Sequence, residues 1–300
     1  MAVTATRAIL GVAIVVLALA AAQAVSSAAD APRWIVFSGE PGGTALPQLF
    51  RMQTSGEGLE QITTGAKPAT QPAFSPDGQR LVFARLGSGI FRANLDGTGL
   101  QRLTSGGRDT FPVWAPDGKR IAFVRPYRTQ WRVYVMSVSG AGQRRLSQAP
   151  PSGRPSWSAN SKSIFIPTAA AVAKIDARTG RVQKRFAVTL DLAVSQGLTV
   201  SPDARTFAFI ARRPPTGPPD CGESNCPAYG LYVAAASTPG RRRRIANDTG
   251  PAGWSPDAKS VVFVARGALT VEVVASGKQT TIPTVGHVAS GDAPPAWQPR

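Results

Sequence analysis

One short unit recurs along this chain, and such units bury their apolar faces only by stacking on one another. Its clearest copy is Pro112-Val113-Trp114-Ala115-Pro116-Asp117-Gly118-Lys119-Arg120-Ile121-Ala122-Phe123. It reads as a strand ending on a large anchor residue, a tight turn, and a second strand. Pro-Asp-Gly favours that turn because proline pre-sets φ, aspartate bonds back to nearby backbone and glycine accepts positive φ. Phe74-Ser75-Pro76-Asp77-Gly78 repeats the pattern before Leu81-Val82-Phe83, and Trp157-Ser158-Ala159-Asn160-Ser161 before Ile164-Phe165-Ile166. Val200-Ser201-Pro202-Asp203-Ala204 precedes Phe207-Ala208-Phe209, and Trp254-Ser255-Pro256-Asp257-Ala258 precedes Val261-Val262-Phe263.

A sixth copy is cut in two. Ala296-Trp297 supplies an anchor without a following strand, and Trp34-Ile35-Val36-Phe37 a second strand without an anchor. The anchors Phe74, Trp114, Trp157, Val200, Trp254 and Trp297 are 40, 43, 43, 54 and 43 residues apart, the period of a four-stranded propeller blade. A second turn glycine recurs in register, at Gly56, Gly97, Gly140, Gly180, Gly240 and Gly277. Thirty glycines and 26 prolines suit many tight turns and argue against long helices. The expected fold is all-β: a six-bladed propeller of four-stranded antiparallel blades over residues 30–300, closed by pairing of the N- and C-terminal strands. Strands are expected near Gln71–Phe74, Arg80–Arg85, Gly89–Asn94 and Leu100–Thr104 in the second blade. In the third they fall near Phe111–Trp114, Arg120–Arg125, Trp131–Ser137 and Gln143–Ser147.

Residues 1–29 differ in kind. A basic start ending at Arg7, an uncharged apolar run from Ala8 to Ala22 and small residues up to Ala29 follow the layout of a secretory signal peptide. The apolar run is shorter than the ~20 residues of a membrane span; retention of residues 8–29 as a membrane anchor is the alternative. Export makes the only cysteines, Cys221 and Cys226, a disulfide candidate stapling the insert 213–228, which also accounts for the 54-residue spacing. No histidine lies near enough in sequence to make that pair a metal site.

The run Phe74-Ser-Pro-Asp-Gly78, with Gln79-Arg80-Leu81-Val82-Phe83 and Asp96-Gly97-Thr98-Gly99-Leu100-Gln101-Arg102-Leu103-Thr104, resembles the WD40-like repeat of TolB-type β-propellers. The resemblance covers about residues 33–300 and is specific for fold, less so for function. TolB itself carries an α/β domain before its propeller; here the repeats begin beside the signal-like segment, so that domain is not expected. The resemblance also implies that ligands bind at the face carrying the second-to-third-strand loops and the blade connections.

The anchors are read as filling between blades, since a position repeated around the ring serves the repeat. Asp77, Asp117, Asp203 and Asp257 are read as turn caps. The single histidine, His287, excludes a multi-histidine metal site and is read as a solvated loop residue between the sixth blade and the closing strand. No Gly-x-Ser-x-Gly elbow and no phosphate-binding glycine loop occur. No catalytic residue, metal or cofactor is expected, although paired carboxylates across the channel leave a lyase-, lactonase- or glycosidase-type enzyme as the alternative.

Charge is the remaining signal. Lysine and arginine number 34 against 17 acidic residues, a net +17, of which only Arg7 lies in the first 29 residues. Such a field draws anions. An exported protein rarely meets nucleic acid, so the expected partner is an anionic cell-surface polymer or an acidic envelope protein, bound by a periplasmic or extracellular monomer with no membrane span after cleavage. Arg241–Arg244 is expected on an outer strand, where charge blocks edge pairing. Arg85, Arg125, Arg212, Arg266, Arg108 and Arg154 are expected to ring the channel mouth as the ligand-binding set.

Overall fold

A computed structural model describes residues 33–41, 46–148, 150–151, 153–168, 171–187, 197–212, 229–238, 240–247, 249–282, 284, 287–289 and 294–299. The signal-like segment, Cys221 and Cys226 lie outside these residues, as do the side chains of Arg212 and His287.

Six antiparallel sheets follow one another as blades. The second runs through Ala69–Phe74, Arg80–Arg85, Gly89–Asn94 and Gln101–Arg102, and the third through Thr110–Trp114, Arg120–Tyr127, Gln130–Ser137 and Arg144–Arg145. The fourth comprises Ser156–Trp157, Ser163–Thr168, Ala171–Asp176 and Val182–Ala187; the fifth Thr199–Val200, Thr206–Arg212, Tyr229–Ala235 and Arg242–Asn247. The sixth comprises Gly253–Trp254, Ser260–Ala265, Ala268–Val273 and Gln279–Ile282. The expected strand positions in the second and third blades hold, with shorter outer strands.

Most of the anchor turns share one construction; in the third blade, where Ala115 has no hydroxyl, Asp117 Oδ1 keeps the bond from Lys119 N at 2.9 Å. Ser75, Ser201 and Ser255 donate their hydroxyls to the aspartate two residues on, and the same aspartate Oδ1 accepts the N–H of Gln79, Arg205 or Lys259. In the fourth blade Asn160 fills the aspartate's place, accepting from Ser158 at 2.8 Å and from Lys162 N at 3.1 Å. The residue after it is left-handed throughout: Gly78 at 68°, Gly118 at 70°, Ser161 at 57°, Ala204 at 59° and Ala258 at 60°. Three blades hold a side chain where glycine costs least.

Each of six apolar clusters draws on two neighbouring blades rather than one. Trp157 of the fourth blade packs with Val113, Ala122 and Val124 of the third, and Trp114 of the third with Ala73, Val82 and Ile90 of the second. The strands' alternation puts one apolar face against each neighbour, so both faces of a blade are buried. The second turn glycine serves the same contact. A Cβ on Gly97 or Gly180 would collide with the carbonyl oxygen of Ile62 or Leu146 on the preceding blade.

The first blade is built from both ends of the chain. Trp34–Pro41 pairs with Gln48–Gln53 on one side and with Ala296–Trp297 on the other, in the register Ile35↔Trp297 and Val36↔Ala296. Gln298 N donates to Trp34 O at 2.9 Å, and Trp34 N donates to Gln298 Oε1 at 3.1 Å. A second contact corrects the loop assignment of His287. His287–Ala289 is a short strand, paired Pro41↔His287, Glu40↔Val288 and Gly39↔Ala289. The isolated histidine hid this pairing, because its strand is three residues long and carries no repeat signal.

Candidate ligand cavity on the ring axis

The innermost strand of every blade ends at its anchor, so the six anchors converge on the axis. They wall a cavity of about 390 Å3 with Pro116, Ala159, Pro202 and Pro299, each two residues past an anchor. The anchors therefore do two things. Trp157 donates its indole N–H to Val113 O of the preceding blade at 3.3 Å, the wedge role expected from sequence. The indole nitrogens of Trp114, Trp254 and Trp297 are also buried, without an acceptor. Yet the same rings line the cavity, a placement that the repeat pattern does not announce.

Among the described residues one cation reaches this wall. Arg154 stands three residues before its anchor, and the matching positions of the other blades hold Gln71, Phe111, Gly197, Pro251 and Pro294. Its half-buried guanidinium reaches from the fourth blade to the second and donates to Pro72 O at 3.3 Å. That carbonyl is free because the second blade's inner strand is bulged. Thr70 pairs with Ala84 and Ala73 with Val82, leaving Gln71 and Pro72 opposite one residue, with Gln71 left-handed at 59°. Gln71 Oε1 in turn accepts the N–H of Phe111 at 2.6 Å, tying the two inner strands. Burial pushes the Arg154 guanidinium down to about 10. Among the described residues it has no carboxylate partner.

The other described candidate arginines are placed differently. Arg125 forks onto Asp109 with two bonds of 2.7 Å and donates to Gln143 at 2.8 Å. Asp109 is 1% exposed, and its hydrogen bond raises the Arg125 guanidinium above its ordinary value. Arg85 donates to Thr64 O at 2.9 Å, and burial lowers its value. Arg108 is exposed and lies over the Trp131 ring at 5.5 Å; Arg266 is exposed in the turn after Ser260–Ala265. Arg212 ends a second strand, its side chain outside the described residues. Of the set's described side chains, Arg154 alone lines the cavity.

Within the arginine tetrad, Arg242–Arg244 lie on the fifth blade's outer strand as expected, and Arg243 has a further partner. It meets Glu272 of the sixth blade at 2.8 Å, a carboxylate 1% exposed that also accepts from Gln279. This pair ties two blades together.

The cavity's chemistry is narrow. Its hydroxyls are engaged with the next blade: Thr199 donates to Ala252 O at 3.0 Å, and Ser156 Oγ accepts from Val200 N at 3.4 Å. Among the described residues no cluster of histidine, cysteine, aspartate and glutamate could hold a metal ion. Among the described lining residues, what remains is an aromatic and proline wall with one positive charge.

Comparison with known proteins agrees with this architecture. The crystal structure of TolB from Acinetobacter baumannii superposes with a TM-score of 0.72 at 20% identity, over 89% of this chain and 67% of that one. An uncharacterized peptidase of Bacillus subtilis, YuxL, is 25% identical over 218 residues, covering 67% of this chain and 30% of its own. The Tol-Pal system protein TolB of Zymomonas mobilis is 36% identical over 79 residues, 25% of this chain and 17% of its own. The chain spans about a third or less of these curated relatives' length. The family profile described as the TolB beta propeller domain matches residues 23–161 and 66–216, more than half of the sequence, and the chain belongs to that family.

Proposed function

We propose that this protein is an exported, non-catalytic binding propeller of the cell envelope, whose partner presents an acidic group to the cavity on the ring axis. The observation that carries the reading is Arg154, the one cation among the described residues of a largely apolar wall. Arginine stays protonated at neutral pH, so it offers charge and directed N–H donors rather than an exchangeable proton. The signal-like layout of residues 1–29 supports export. The relative named as a Tol-Pal system protein supports a protein partner in the envelope. Among the described residues no helix is long and apolar enough to cross a membrane. The net charge of +17 favours approach of acidic partners at low ionic strength.

The test is capture from envelope extract on immobilised protein at low and high salt. A discrete partner, retained by the wild type and reduced by Arg154→Met, is the expected result. Turnover of a panel of lactones, oligosaccharides and peptides, with no stable capture, would replace this reading with an enzymatic one.

A further inference from the structure

Arg154 is the one charged side chain among the described residues that line the axial cavity. The residues at the equivalent positions are neutral, so the ring does not need a guanidinium there to close. Among the described residues the group donates one hydrogen bond, to a carbonyl that a bulge has released, and has no carboxylate partner. A charge partly withdrawn from water, with no counter-charge among the described residues, is unfavourable in the empty protein and becomes favourable once an anion sits beside it.

The surroundings select the anion. A single guanidinium matches one carboxylate through two parallel N–H···O bonds, whereas a dianion would keep a bare charge in an apolar cavity. The walls are indole rings and prolines, which accept an apolar or aromatic body. The volume, about 390 Å3, equals that of roughly a dozen water molecules and lies at the small end of ligand sites. We propose that the axial cavity is a carboxylate site in which Arg154 grips a monocarboxylate carried on a small apolar or aromatic body. This names the ligand chemistry of the binding reading above and rests on it. The same chemistry occurs on a free organic acid and on the end of a polypeptide.

Calorimetric titration of the full chain decides it. The probes are phenylacetate, its neutral amide phenylacetamide, N-acetylphenylalanine as a chain end, and inorganic phosphate. Phenylacetate or N-acetylphenylalanine binds saturably, and phenylacetamide binds about ten- to a hundredfold more weakly, the loss expected for a charge-assisted pair. Arg154→Met produces a similar loss with the acid and little change with the amide. Tighter binding of N-acetylphenylalanine than of phenylacetate identifies a chain end as the source, and the reverse order a free acid. Tighter binding of phosphate overturns the carboxylate assignment. Equal binding of acid and amide, or no saturable binding of either acid to folded wild type, overturns the site. If Arg154→Met does not fold, the acid–amide comparison on wild type decides alone. Envelope capture can still succeed when this titration fails, so the two ideas fall separately.

Discussion

Replacing Arg154 with methionine should stabilise the empty protein. Burial lowers the guanidinium well below its ordinary value, to about 10, which corresponds to roughly 3 kcal/mol of cost at neutral pH. Below pH 10 the group is protonated in both folded and unfolded chains, so the whole cost is present. Above pH 10 the folded protein releases the proton before the unfolded chain does, and the cost fades as pH rises. Methionine removes that cost and fills similar space with apolar atoms. It also leaves Pro72 O without its partner, a loss of about 1 kcal/mol. The net gain is about 2 kcal/mol at pH 7, roughly 5 °C in melting temperature for a domain of this size. Urea unfolding followed by tryptophan fluorescence measures it, with the slope m checked for constancy. Saturating phenylacetate should shrink the gap, because the ligand stabilises only the wild type. A loss of about 2 kcal/mol or more in the empty variant would show that the guanidinium is a structural tie across the axis, and the counter-charge reasoning would fail.

Other consequences follow from the turns and ion pairs. Ala204→Gly and Ala258→Gly release left-handed alanines at 59° and 60°; thermal melts should show each gaining about 0.5 kcal/mol after the glycine's unfolded-chain entropy is deducted. The Ser75 hydroxyl and the Gln79 N–H hold the Asp77 carboxyl below its ordinary 3.8, so its contribution is complete above that value and lost as pH falls through the folded one. Asp77→Asn, which copies the natural Asn160 turn, should flatten that part of an acid-unfolding curve, and an unchanged curve would remove Asp77 from the explanation. Arg125→Gln strands the buried Asp109 and should cost about 3 kcal/mol in urea, with much of it recovered by adding Asp109→Asn. No recovery would mean the two residues act independently.

The architecture was legible because it is written many times. Anchor, turn and second strand recur five times in register, and the split copy announces Ile35↔Trp297 pairing from two fragments that are meaningless singly. The site was harder to read because it is written once. Position near a blade connection groups Arg154 with arginines whose partners are remote in sequence. Asp109, sixteen residues before Arg125, gives no sign that it folds under it, and Thr64 O gives none that Arg85 reaches it. The signal that separates Arg154 was nevertheless present. Aligning the repeats three residues further back sets it against glutamine, phenylalanine, glycine and two prolines. The dual role of the anchors had no such signal, since packing between blades and facing an axis demand the same large flat residue.

Site-specific photo-crosslinking in envelope extract tests the binding account most directly. A benzophenone amino acid at Ala159, an exposed residue of the cavity wall, is compared with one at Lys184 on the fourth blade's exposed outer strand. The account predicts a discrete adduct from Ala159 that diminishes when Arg154→Met is added, and none from Lys184. An adduct from Lys184 alone, or one from Ala159 indifferent to Arg154, would contradict it.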